Sequence, residues 1–164
     1  MEKTMYGLKE AFAGESQANR KYTAYAAQAE KEGYKQAAKL FRAAADAEAI
    51  HALNELKAMG KAHDTVENLK DAIAGETHEF TSMYPDFIDY AKAENQPTAL
   101  RIFEHAAGAE KVHAELYQKA LDNLTKEEGP SYYLCPVCGY IHEGSAPYTC
   151  PVCQAKGTVF KEYN

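Results

Sequence analysis

Two short stretches decide the fold, Glu48-Ala49-Ile50-His51 and Glu110-Lys111-Val112-His113. Residues at i and i+3 of a helix project from one face, so each stretch sets a carboxylate beside an imidazole. Both lie among small residues, AAADAEAIHAL around Glu48 and HAAGAEKVHAEL around Glu110. Small neighbours let helices approach closely and leave room for long ligand side chains.

Outward from these stretches the helical part is a repeat. Ala11-Phe12-Ala13-Gly14-Glu15-Ser16 matches Ala72-Ile73-Ala74-Gly75-Glu76-Thr77, Ala38-Lys39-Leu40-Phe41 matches Leu100-Arg101-Ile102-Phe103, and Tyr22 matches Tyr84. The offset is 61 at the first match and 62 at the others, so the second copy holds one inserted residue. Four helices are predicted. They span about 4–32 before Gly33, about 34–59 before Gly60, about 64–94 from the capping-box-like Asp64-Thr65-Val66-Glu67, and about 96–124 with Pro97 in the first turn. Pro85 lies inside the third and predicts a kink there.

Two copies of a helix pair imply a bundle with pseudo-two-fold symmetry. A Glu on each of two helices with Glu-x-x-His on each of the others is the di-iron or di-manganese carboxylate pattern. A single Glu-x-x-His on an alanine-rich helix is ordinarily a solvated face. Two copies, each preceded 33 or 34 residues earlier by a Glu in matching surroundings, are not explained that way.

Residues 1–125 read as the bundle, 126–131 as a linker and 132–164 as a second module too small to fold on apolar burial alone. That module holds all four cysteines, Cys135-Pro136-Val137-Cys138 and Cys150-Pro151-Val152-Cys153. Paired C-x-x-C reads as one tetrahedral thiolate site, which suits zinc as well as iron. Spacing alone favours a structural zinc ribbon.

The chain of 164 residues is 46% apolar and 26% charged with a net charge of −6, enough of both for a globular core. No Lys/Arg stripe points to nucleic acid. No apolar run approaches a membrane span, and the N-terminus has no leader-like apolar core, so a cytoplasmic protein is expected. Clustered C-x-x-C in a reducing compartment reads as metal binding, not as disulfides.

Over essentially its whole length the sequence resembles the rubrerythrin family. The resemblance is carried by the paired Glu-x-x-His repeats and by Tyr132-Tyr133-Leu134-Cys135-Pro136-Val137-Cys138-Gly139-Tyr140, which looks like the start of a rubredoxin. It implies an all-α ferritin-like four-helix bundle followed by a small β-rich rubredoxin-like domain. Family ligands carry over onto Glu15, Glu48, His51, Glu76, Glu79, Glu110 and His113 for two irons, and onto Cys135, Cys138, Cys150 and Cys153 for a third metal, iron by preference with zinc the other choice. In that mapping Glu48 and Glu110 bridge, and Glu15, Glu76 and His113 are terminal ligands. Glu79, where the first copy has Ala18, exchanges with His51 when the pair is reduced. Tyr22 and Tyr84 are expected beside the ligands, either hydrogen-bonded to their carboxylates or simply packed. Gln154 departs from the glycine usual after the second knuckle, which implies strain there or a retuned potential.

The implied activity is reduction of hydrogen peroxide by the di-iron pair in oxidative-stress protection. Electrons arrive from a separate reductase or rubredoxin through the four-cysteine iron, ultimately from a reduced nicotinamide. A ferroxidase or iron-storage protein, or a bundle with a structural zinc ribbon, are the competing readings.

Chain geometry adds an expectation about assembly. In a ferritin-like bundle the second and third helices run parallel, so the connection must climb back about 35 Å at 1.5 Å per helical residue. The five steps from Gly60 to Thr65 reach at most about 18 Å. Residues 61–70 must unwind, or the bundle is up-down-up-down, or a homodimer exchanges helices between the second and third. The capping signal at 64–67 disfavours unwinding, and exchange is the expectation.

Overall fold

A computed structural model describes residues 2–164. Five α-helices come first: α1 (Glu2–Lys31), α2 (Lys35–Ala58), α3 (Thr65–His78), α4 (Tyr84–Ala93) and α5 (Pro97–Asp122). A π-helical turn, Glu79–Met83, joins α3 to α4. Strands β1 (Tyr132–Leu134), β2 (Ile141–Glu143) and β3 (Lys161–Tyr163) follow. The fold class is the expected helical bundle with a small β-rich four-cysteine domain. The chain divides into two compact units, one ending at His63 and the other beginning at Asp64.

In the first unit, α1 and α2 pair through alanines. Ala26, Ala29, Ala38, Ala45 and Ala52 are buried, and the Asn19 amide donates to the Ala45 carbonyl at 2.6 Å. The turn between them needs a left-handed residue, and Gly33 supplies it at φ 86°. Tyr22 and Tyr25 pack on Phe41 with ring centroids at 6.3 and 5.5 Å.

The second unit repeats this arrangement. Tyr84 and Phe87 pack on Phe103 at 6.2 and 5.6 Å, each residue 62 positions after its counterpart. The Asp64 side chain caps α3, accepting from the Glu67 amide at 3.0 Å, so the helix begins at Thr65 and residues 65–70 are helical, not unwound. The irregularity expected at Pro85 takes a specific form. A proline cannot donate to the carbonyl four residues back, and the turn just upstream widens to π spacing, with the Tyr84 amide reaching the Glu79 carbonyl. The inserted residue of the second copy lies here. Tyr22 is seven residues after Glu15, Tyr84 eight after Glu76, and the π turn absorbs the difference.

The C-terminal sheet has the order β2-β1-β3, antiparallel throughout, with Leu134 opposite Ile141 and Lys161. Two knuckles of the same form flank the thiols. The Gly139 amide returns to the Cys135 carbonyl and the Gln154 amide to the Cys150 carbonyl, both at 3.0 Å. Cys135, Cys150, Tyr140 and Ala109 of α5 form one buried cluster, with Val112 and Val152 packed against it. The module therefore rests on α5.

Candidate metal centre

Helix spacing brings the predicted ligands together by threes. Glu15, Glu48 and His51 offer ligand atoms within 4.8 Å of one another in the first unit, and Glu76, Glu110 and His113 do so in the second. In the first, His51 Nδ1 is 2.9 Å from Glu48 Oε2. In the second, His113 Nδ1 is 2.6 Å from Glu110 Oε2 and 3.8 Å from Glu76 Oε1.

The two histidines differ in their surroundings. The His113 side chain is 15% exposed and its Nε2 lies 2.9 Å from the Gly139 carbonyl. A carbonyl only accepts, so Nε2 carries the hydrogen and Nδ1 is turned to the carboxylates. The His51 side chain is 56% exposed, and Glu48 is its hydrogen-bond partner among the described residues.

The electrostatics suit a cation. Burial, then the Glu110 charge, raises the Glu76 carboxyl above its ordinary range. A shared hydrogen bond with Glu48 raises Glu15 similarly. Carboxylates that hold each other's protons in place are those a bound metal would free to ionise. Glu79, first residue of the π turn, is half-buried and stands outside the second group of three, but its charge reaches Tyr84. Burial, then Glu110, Glu79 and Glu76, raises the Tyr84 phenol, so it stays protonated amid three carboxylates. Tyr22 lies on Tyr25 and Phe41.

Two residues escaped sequence reading. Tyr117 lines an apolar cavity with Leu69, Leu116 and Ile141, and burial, then the Glu76 and Glu110 charges, raises its phenol. Glu55 has a buried Oε2 without a hydrogen-bond partner among the described residues, and its charge acts on Glu15. Both stand seven residues after a Glu-x-x-His glutamate, 62 apart, and that shared spacing was the available signal.

The four thiols also converge, all within 4.8 Å. Cys135 Sγ is 3.6 Å from Cys153 Sγ, and Cys138 Sγ is 3.6 Å from Cys150 Sγ. Thiolates at 2.3 Å from a tetrahedral metal lie about 3.8 Å apart, whereas a disulfide needs about 2.05 Å. Burial opposes ionisation of Cys135, but the Val137 and Cys138 amides outweigh it and lower its thiol, while burial pushes Cys138 and Cys153 up. A bound cation would favour the ionised form of Cys138 and Cys153 against that burial. Gln154 holds φ 64°, close to the 84° of Gly139 at the matching knuckle. Among His63, His78, His105 and His142, His142 accepts or donates at 2.9 Å with the Tyr140 hydroxyl beside the thiols.

Comparison with known proteins agrees with this chemistry. Residues 7–121 match the Rubrerythrin family model, and residues 133–161 match the model for the rubrerythrin rubredoxin-like domain. The chain is 39% identical over 155 residues to nigerythrin of Nitratidesulfovibrio vulgaris, covering 86% of this chain and 77% of the relative. It is 36% identical over 188 residues to a rubrerythrin of Clostridium perfringens, covering 98% and 95%. Among solved structures, nigerythrin in a mixed-valent state aligns with a TM-score of 0.60 at 38% identity, covering 98% of this chain and 86% of that one. The chain therefore belongs to the rubrerythrin family, di-iron proteins of the peroxidase-type oxidoreductases with a further iron held by a rubredoxin-like four-cysteine site.

Proposed function

We propose that this protein is a cytoplasmic non-haem di-iron peroxidase that reduces hydrogen peroxide to water in oxidative-stress protection. A separate reductase or rubredoxin refills it through the four-cysteine site. The seating of the four thiols on α5, the helix that carries Glu110 and His113, is the observation that supports this most. A ferroxidase has no need of that module.

Bound in these sites, iron supplies a two-electron store for the O–O bond and a one-electron centre that replenishes it. Glu48 and Glu110 would be the bridging carboxylates, and Glu15, Glu76 and His113 would hold the ends. Glu79 and His51 would be alternative ligands to one iron, carboxylate for the ferric state and imidazole for the ferrous. The contrast between the histidines supports that division, because the anchored His113 cannot swing and the exposed His51 can. Peroxide takes up two protons as well as two electrons to leave as two waters. Tyr84 and Tyr117 hold protons on their phenolic oxygens beside Glu76 and Glu110.

The assembly we propose is a homodimer that exchanges helices between α2 and α3. The short connection and the capped start of α3 support it. Each compact unit carries one Glu from its first helix and one Glu-x-x-His, half of a site.

Anaerobically purified protein should hold about three irons per chain and consume peroxide with an added reductase. Replacing Cys135 and Cys138 by serine should leave the pre-reduced bundle able to consume one equivalent while steady turnover collapses. Unimpaired turnover in that variant would show that electrons enter elsewhere.

A further inference from the structure

The repeat that relates the two helix pairs also relates two helix faces, and they are covered differently. On α5, Ala109 is buried in the cluster with Cys135, Cys150 and Tyr140, and Val112 packs against it. His113 Nε2 lies 2.9 Å from the Gly139 carbonyl, and Lys119 pairs with Glu143 of β2. These residues seat the four-cysteine module. On α2, 62 positions earlier, stand Ala47, Ile50, His51 and Lys57, the same residues in the same order but for Ile in place of Val.

Ala47, Ile50 and Lys57 recur at helical spacing, as Ala109, Val112 and Lys119 do, so each set shares one face. His51 turns Nδ1 to Glu48 as His113 turns Nδ1 to Glu110, which leaves Nε2 as the nitrogen directed away from the carboxylate. The covering is what differs. Ile50 is 60% exposed where Val112 is packed, and Lys57 is exposed. Leu53, where α5 has Glu115, is 54% exposed and extends the apolar face.

One position sets a limit on the occupant. Gly108 lies so close to the second knuckle that an added Cβ would be 3.1 Å from a Val152 methyl carbon, and its counterpart on α2 is Asp46. An occupant of α2 must therefore tilt away from Asp46, and Leu53 offers the apolar surface on that side.

We propose that this face of α2 is a docking surface for a separate four-cysteine protein of the rubredoxin type. The partner sets a knuckle carbonyl on His51 Nε2, an apolar side chain on Ile50 and Leu53, and a carboxylate on Lys57. The repeat identifies the partner, because the matching residues of α5 already hold a four-cysteine fold by those three kinds of contact. The chain's own module is seated on α5, so the occupant is another molecule. The seat is a matter of packing and charge and does not depend on the peroxidase reading.

Titration of the full-length, zinc-loaded, isotope-labelled protein with a zinc-loaded rubredoxin tests it, followed by amide and imidazole chemical shifts. Saturable shifts are expected at Ile50, Leu53 and Lys57 and at His51 Nε2. Ile50→Glu, at an exposed position, should weaken binding about tenfold by placing a charge in the apolar centre. Lys57→Gln should weaken it about threefold at low salt and hardly at high salt, as a rim charge does. Absence of saturable binding, shifts confined to residues 132–164, or unchanged affinity in Ile50→Glu overturns the proposal. Shifts on α2 that grow with protein concentration alone, without rubredoxin, also overturn it and assign the face to a second copy of this chain.

Discussion

Glu76 lies half-buried beside Glu110, and its carboxyl is raised by burial first and by that charge second. A raised acid holds its proton more tightly folded than unfolded. In the metal-free protein its contribution to stability is therefore present at low pH and lost as pH rises through the folded value. Metal-free Glu76→Gln should melt with the wild type below the carboxylate range and a few degrees above it at neutral pH. Thermal scans across pH check this, and a more stable wild type at neutral pH would contradict the electrostatic account. Gln154 offers a second prediction at this scale. A side chain at φ 64° carries left-handed strain that glycine lacks, partly offset by the freedom glycine loses on folding. Gln154→Gly should stabilise the iron-loaded module by about 0.5–1 kcal/mol, read as a later denaturant midpoint for loss of the ferric colour.

The π turn at Glu79–Met83 shows what a single inserted residue does to an element. Downstream, Tyr84 and Phe87 are locked against Phe103 with the geometry of the first copy. Upstream, Glu76 keeps the place of Glu15 in a group of three. The widened turn lets both registers hold at once and places Glu79 where the first copy has Ala18. Deleting the exposed Ser82 should restore the seven-residue spacing and regular α geometry of the first copy, keep Glu76 and Tyr84 in register, and move Glu79 off the widened turn. Circular dichroism should stay helical, the thiolate colour should persist and the reduced bundle pair should be retained, while metal analysis should show iron loss on oxidation. A deletion variant that keeps both bundle irons through oxidation would show that the π turn does not place Glu79. Glu79→Ala is the gentler companion. It should spare iron in the reduced protein and lose it on oxidation, and equal loss from both states would argue against ligand exchange.

Each compact unit is built from alanine contacts; the first carries three of the predicted ligands and the second four, Glu79 included. A seven-ligand site would need both kinds of unit, and a helix exchange would draw them from two chains. Glu48→Ala and Glu110→Ala chains, each inactive alone, should regain part of the activity when refolded together. In an exchanged heterodimer one site receives both lesions and the other none. Verified heterodimers without recovery would rule out the exchange.

The spacing of Glu-x-x-His, the repeat and the paired C-x-x-C were enough to determine the helical bundle, the four-cysteine module and the two groups of three carboxylate and imidazole side chains, because helix periodicity alone carries i and i+3 to one face. The Asp64 cap was equally legible, being local. The π turn was visible as a change of offset, but not as a conformation, since several backbone adjustments absorb one residue. Tyr117, Glu55 and above all Gly139 were not legible. A backbone carbonyl has no side-chain signature, and only the packing of the module on α5 brings it within 2.9 Å of His113, 26 residues away. Whether that histidine is anchored or free to swing depends on a long-range contact, and sequence periodicity cannot encode it.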